Sequence, residues 1–108
     1  LGRKRAFEVI MEGEKISAAR CVELGLANRV VPAERLLEET LAWARAIAKK
    51  APLALRYSKE ALNKAMQLDL ADTISYEAKL QNITFISEDT REGVQAFFEK
   101  RPPVFKGR

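Results

Sequence analysis

The sequence predicts an all-α fold. Apolar residues recur at three- and four-residue spacing over most of the 108 positions. The patterned stretches are punctuated by helix signals: Ser17 and Ser87 as capping residues, Gly13 and Gly25 as stops, Pro52 and Pro102-Pro103 as breakers. Only one short β-branched stretch, around Val30-Val31, reads as extended.

Taken in order, Arg3 to Met11 places Ala6, Phe7, Ile10 and Met11 at helical spacing, and Gly13 stands where a left-handed C-terminal residue is needed. Ser17 caps a short helix, Ala18 to Leu24, with Gly25 as its stop. Residues 26 to 32 form an extended connector, or an edge strand where a sheet is offered. From Ala33 to Lys50, Leu37, Leu41, Ala44 and Ala48 make one stripe, widened by Leu36, Trp43 and Ile47. Pro52 ends that helix and opens the next, Leu53 to Gln67, in whose first turn its missing N–H costs nothing. Leu70 to Ile86 follows, with Leu70, Ile74, Ala78 and Phe85 on one face and Tyr76, Leu80 and Ile83 on another. A helix apolar on two sides of a small domain calls for a partner beyond its own core. Ser87-Glu88-Asp89-Thr90 starts the last helix, with Asp89 and Glu92 as an alternative capping pair. Val94, Phe97 and Phe98 give that helix its apolar face, and residues 104 to 108 are an extended tail.

Composition narrows the chemistry. Apolar residues make up 47% and charged residues 31%, a globular profile, and the length suits one small domain. A domain this small buries only about 65% of the surface of its unfolded chain, so a partner or further polypeptide would add needed stability. The chain starts at Leu1 inside a patterned segment, which reads as a piece of something longer. No stretch looks like a signal peptide or is long and apolar enough to span a membrane. With no His and one cysteine, neither a metal centre nor a His-activated nucleophile can be assembled. Cys21, among small and apolar neighbours, reads as a buried small hydrophobe in a reducing compartment. No Gly-rich phosphate loop is present; the scattered glycines read as turn or close-packing residues. The carboxylates Glu38-Glu39 and Glu88-Asp89 with Glu92 are explained by caps and solvated faces rather than by acid–base work. The net charge of +4 is spread among glutamates and richer only at the ends, in Arg3-Lys4-Arg5 and from Lys100 to Arg108. Without aromatic–basic interleaving this does not point to nucleic acid; a phosphate-bearing small ligand fits better.

Four stretches in order carry a resemblance. Met11-Glu12-Gly13-Glu14-Lys15-Ile16-Ser17-Ala18 is similar to a "TG-x-x-I-S-A" segment, and Gly25 to Pro32 to "G-L-V-x-x-V-V-P". Ala51-Pro52 with Lys59 resembles a "P-x-A-x-x-x-x-K" helix. Glu88-Asp89-Thr90-Arg91-Glu92-Gly93 through Ala96-Phe97-Phe98-Glu99-Lys100-Arg101-Pro102-Pro103 resembles "S-E-D-x-x-E-G-x-x-A-F-x-E-K-R-x-P". All four belong to the end of the enoyl-CoA hydratase/isomerase (crotonase) family, and together they span the whole chain.

The resemblance implies that residues 1–108 are the helical C-terminal, trimer-forming region of the crotonase α/β spiral fold. The catalytic spiral, with its oxyanion hole and acidic residues, would lie upstream of Leu1, so no catalytic residue is assigned here and the segment alone is expected to be inactive. The implied full-length activity is hydration of 2-enoyl-CoA thioesters. Isomerase and other family reactions, or a non-catalytic helical oligomerisation module, are the alternatives. The implied partners are an acyl-CoA substrate and further copies in a trimer or hexamer. No cofactor, metal, nucleic acid or membrane is expected, and the compartment would be bacterial cytoplasm or a mitochondrial matrix. Lys100 matches the family lysine near the nucleotide end of CoA, where an ammonium on a flexible stem suits a phosphate. Phe97 matches an aromatic lining the same region, with plain core packing as its rival reading. Gln81 stands where some relatives place another aromatic.

Overall fold

The computed structural model describes residues 1–108, and they form six α-helices and one 3-10 turn, with no strand. The helices are α1 (Arg3–Glu12), α2 (Ala18–Glu23), α3 (Leu36–Ala48), α4 (Pro52–Ala65), α5 (Leu70–Phe85) and α6 (Glu88–Glu99), with the 3-10 turn at Ala33–Arg35 leading into α3. Two compact units divide the chain, Leu1–Leu41 and Ala42–Arg108.

In the first unit, Gly13 closes α1 in the left-handed conformation (φ 61°), and its N–H donates to the Val9 carbonyl. Only glycine occupies that region without crowding between a Cβ and the backbone. The Ser17 hydroxyl accepts from the Arg20 N–H at 3.2 Å and starts α2. Leu24, at the end of α2, is the buried apolar residue of this unit. Cys21 is half-buried rather than fully enclosed. The β-branched stretch 29–31 stays outside any strand, because no second extended segment pairs with its N–H and C=O groups.

In the second unit, α4 and α5 form an antiparallel hairpin, the most extensive helix pair of the chain. Pro52 occupies the first turn of α4, and Asp69 caps α5 by accepting from the Asp72 N–H at 2.8 Å. Leu80 is buried, and the Tyr76 hydroxyl donates to the Glu60 carboxylate across the pair, which raises the phenol's pKa. The opposite face of α5 is uncovered: Leu70 and Phe85 are 76% and 72% exposed. The two apolar faces expected for this helix are therefore both present, one on α4 and one open. On α3, Leu36 and Leu37 are 59% and 71% exposed.

The chain exposes 9293 Å². A compact body of 12.2 kDa exposes about 6,100 Å², and two independently packed units of these sizes about 7,300 Å². The chain thus exposes roughly 2,000–3,000 Å² more than packed bodies of these sizes, and many large apolar residues are among the exposed ones. The buried apolar residues, Leu24, Leu80 and Ala96, are few for a chain of this length.

Candidate functional site

Residues 87 to 108 bring most of the chain's polar organisation to one place. Ser87, not Asp89, caps α6. Its hydroxyl accepts from the Thr90 N–H at 3.1 Å and donates to the Thr84 carbonyl at 2.6 Å, and the Thr90 hydroxyl donates to the same carbonyl at 2.6 Å.

Asp89 and Glu92 are thereby released from capping, which corrects their reading as a capping or solvated pair. Asp89 is 3% exposed, and its two oxygens accept from the Lys106 and Gly107 N–H groups at 2.6 and 2.8 Å. The Asp89 N–H in turn donates to the Arg108 carbonyl at 3.2 Å. The returning tail lies on α6 and reaches α4. The Phe105 ring stands over Gly93, 3.6 Å from where a Cβ would sit, and Gly107 (φ 75°) lies against Pro52. Glu88 pairs with the Arg108 guanidinium at 2.9 Å.

Glu92 holds the segment between helix and tail. Both its oxygens receive the Arg101 guanidinium, at 2.6 and 2.9 Å, and Oε1 also accepts from the Val104 N–H at 2.7 Å. The Arg101 hydrogen bonds, then the Val104 N–H, pull its pKa down to about 2. Arg101 Nε donates to Glu99 Oε2 at 2.5 Å, and Gln95 donates to Glu99 Oε1 at 2.7 Å. The Gln95 bond and then Arg101 lower the Glu99 pKa.

The two residues singled out for ligand binding, Phe97 and Lys100, meet at the C-terminal end of α6. The Lys100 N–H donates to the Phe97 carbonyl at 3.3 Å, and the Arg101 N–H to the Ala96 carbonyl at 3.1 Å. Lys100 itself is left-handed (φ 55°, ψ 36°), the only non-glycine residue with positive φ. Phe97 is 79% exposed and stands edge-on to Phe98, with ring centroids 5.7 Å apart. The buried residue of that turn is Ala96. Gln81 lies apart from both, on α5 beside the groove between α4 and α5.

An exposed aromatic pair next to an exposed ammonium is chemically suited to a ligand with a flat apolar ring and a phosphate. Nothing in this cluster has the geometry of acid–base or nucleophilic catalysis. No group of three or more His, Cys, Asp or Glu is placed to hold a metal ion. The sequence reading missed the Glu92–Arg101 pair; its signal was an acid and an arginine nine residues apart, flanking Phe97 and Lys100.

Comparison with known proteins gives a match over residues 1–108 to the family model described as enoyl-CoA hydratase/isomerase. A probable enoyl-CoA hydratase from Mycobacterium tuberculosis is 40% identical over 108 residues, 100% of this chain and 42% of its own length. A probable mitochondrial enoyl-CoA hydratase from Dictyostelium discoideum is 34% identical, over 100% of this chain and 39% of its own. Among solved structures, an enoyl-CoA hydratase subunit I from Geobacillus kaustophilus superposes with a TM-score of 0.92 at 45% identity, covering 99% of this chain and 42% of that one. The chain thus spans about two fifths of the length of the relatives it matches.

Proposed function

Because the chain belongs to the enoyl-CoA hydratase/isomerase family, we propose that it serves as the helical C-terminal region of an enoyl-CoA hydratase. The full-length protein would add water to 2-enoyl-CoA thioesters. These residues would supply contacts between subunits of a trimer or hexamer and one wall of the CoA site. The observation that carries this reading is the match of every residue to two fifths of a hydratase, in a helical segment whose apolar faces on α3 and α5 lie open. Such faces are stable only when something covers them.

Within that site, Lys100 would meet a phosphate at the nucleotide end of CoA, and Phe97 would lie along the adenine. Both lie far from the reacting carbon, so neither is a catalytic residue. The acyl-CoA is substrate, and no separate cofactor is invoked. No helix is long and apolar enough to cross a membrane; bacterial cytoplasm or a mitochondrial matrix is the compartment proposed.

The test is crotonyl-CoA hydration by the full-length protein. Lys100→Ala should raise KM with little change in kcat, because it removes binding that substrate and transition state share. A kcat loss of orders of magnitude at unchanged KM would refute the assignment. A second reading, a non-catalytic helical oligomerisation module, is favoured by the open faces alone. It requires the 108-residue chain to assemble by itself, which light scattering measures. A monomer would dismiss it.

A further inference from the structure

Helix α6 carries Phe97 and Lys100, yet its own side chains anchor it thinly. Its buried residues are Asp89 and Ala96, while Val94, Phe97 and Phe98 are each more than half exposed. It meets the α4–α5 hairpin through α5, from which only Ile86 and Ser87 separate it. Toward α4 the fit is incomplete. A cavity of about 270 Å³ is lined by Leu53 and Ala54 of α4, by Gly93 and Val94 of α6, and by Phe105 of the tail.

The Phe105 ring stands over Gly93, 3.6 Å from where a Cβ would sit. The backbone on both sides of that ring is pinned to α6. The Val104 N–H donates to Glu92 at 2.7 Å, and the Lys106 and Gly107 N–H groups donate to Asp89 at 2.6 and 2.8 Å. Gly107 then reaches α4, where a Cβ would sit 3.5 Å from the Pro52 ring. Residues 104 to 107 are thus a strap, bonded along α6 and resting on the first turn of α4. The leverage on the far end of α6 is large. Phe97 lies about 15 Å along the axis from Ser87. A tilt of about 2° about that point moves Phe97 by about 0.5 Å, the tolerance of a preorganised site.

We infer that Phe105 is a positioning residue for CoA binding: wedged between α6 and the start of α4, it fixes the tilt of α6 and so the place of Phe97 and Lys100. This rests on the reading of those two residues as contacts to the nucleotide end of CoA. It adds what holds them in place, a ring in the tail that touches no substrate.

The experiment compares two substrates in the full-length protein: crotonyl-CoA and crotonyl-pantetheine, which lacks the nucleotide. Phe105→Ala should raise KM for crotonyl-CoA about fivefold, part of what one base stack and one exposed ion pair contribute together. It should leave kcat and the KM for crotonyl-pantetheine unchanged. Phe105→Leu, which keeps apolar bulk on Gly93, should recover most of the affinity. In a Phe97→Ala, Lys100→Ala background, Phe105→Ala should add nothing. If Phe105→Ala does not fold, Gly107→Ala replaces it: a side chain at φ 75° is strained and lifts the strap from Pro52, and the same pattern is expected. An effect equal on both substrates, an unchanged KM for crotonyl-CoA, or an effect undiminished in the double-alanine background overturns the inference and leaves the roles of Phe97 and Lys100 standing. An unchanged KM for crotonyl-CoA in Phe97→Ala, Lys100→Ala alone overturns those roles, and the inference with them.

Discussion

Asp89 is where a single substitution should show how the end of the chain is held. Its carboxylate is 3% exposed and accepts the Lys106 and Gly107 N–H groups at 2.6 and 2.8 Å. A hydrogen bond to an ionised acceptor contributes about 1.5–3 kcal/mol, and an acid in the first turn of α6 adds about 0.3–1 kcal/mol through the helix dipole. The simple sum, about 3–7 kcal/mol, overstates the effect. A tail freed from Asp89 rehydrates its amides, so the loss cannot exceed the free energy that docks residues 104–108. Asp89→Ala should therefore cost about 2–4 kcal/mol. Asp89→Asn keeps the shape and one acceptor but turns an NH2 toward a backbone N–H, and should cost about 2 kcal/mol. Amide hydrogen exchange measured in the intact protein separates tail opening from global unfolding. In Asp89→Asn the Lys106 and Gly107 amides should exchange about thirtyfold faster, as 2 kcal/mol implies, while amides in the middle of α4 and α5 slow or quicken far less. Unchanged exchange at Lys106 and Gly107, with a denaturation midpoint equal to wild type, would refute the claim that this carboxylate holds the tail.

Three further outcomes follow from the same region. Ser87→Ala removes the cap of α6 and the donor to Thr84 and should cost about 1–2 kcal/mol in urea denaturation. Gly93→Ala places a methyl at ordinary contact distance from the Phe105 ring inside a helix, and should stabilise by about 0.5–1 kcal/mol; a lower melting temperature would mean the ring cannot accept it. Glu92 titrates at about 2 in the folded chain, below the ordinary carboxylate value of 4.5. Its stabilising effect is thus complete above about pH 4.5 and lost as pH falls toward 2. The Val104 amide resonance should shift through that window, and the shift should vanish in Glu92→Gln.

The helices were legible because their signals are local. Ser17 and Ser87 each accept an N–H three residues on, and Pro52 begins α4; the Asp69 cap of α5, which the sequence reading passed over, is of the same local kind. Those partners are fixed by chain geometry within one turn, so residue type and spacing suffice. The two faces of Leu70–Phe85 were readable for the same reason, since 3.6-residue periodicity needs no knowledge of what covers it. Family membership was equally accessible, carried by motifs in fixed order. The candidate site was visible in part: Phe97 and Lys100 stood out by motif position, and Arg101 between them and the prolines did not.

The sequence by itself located the helices to within a turn and gave their amphipathic faces, because each is a property of residue type and near-neighbour spacing; that residues 33–35 form a 3-10 turn before α3 came only from the structure. Only the tertiary structure decided where the acids of α6 go. Asp89 and Glu92 look like capping or solvated residues until the tail, 12 to 18 positions later, returns to place N–H groups against them. A carboxylate satisfies whichever donors arrive closest, and a chain reversal at Pro102-Pro103 brings donors that no local pattern names. The same holds for Phe97. Its apolar character was plain from the sequence, but burial is decided by what packs against a face, and in this chain Ala96 takes the covered position while Phe97 remains on the surface.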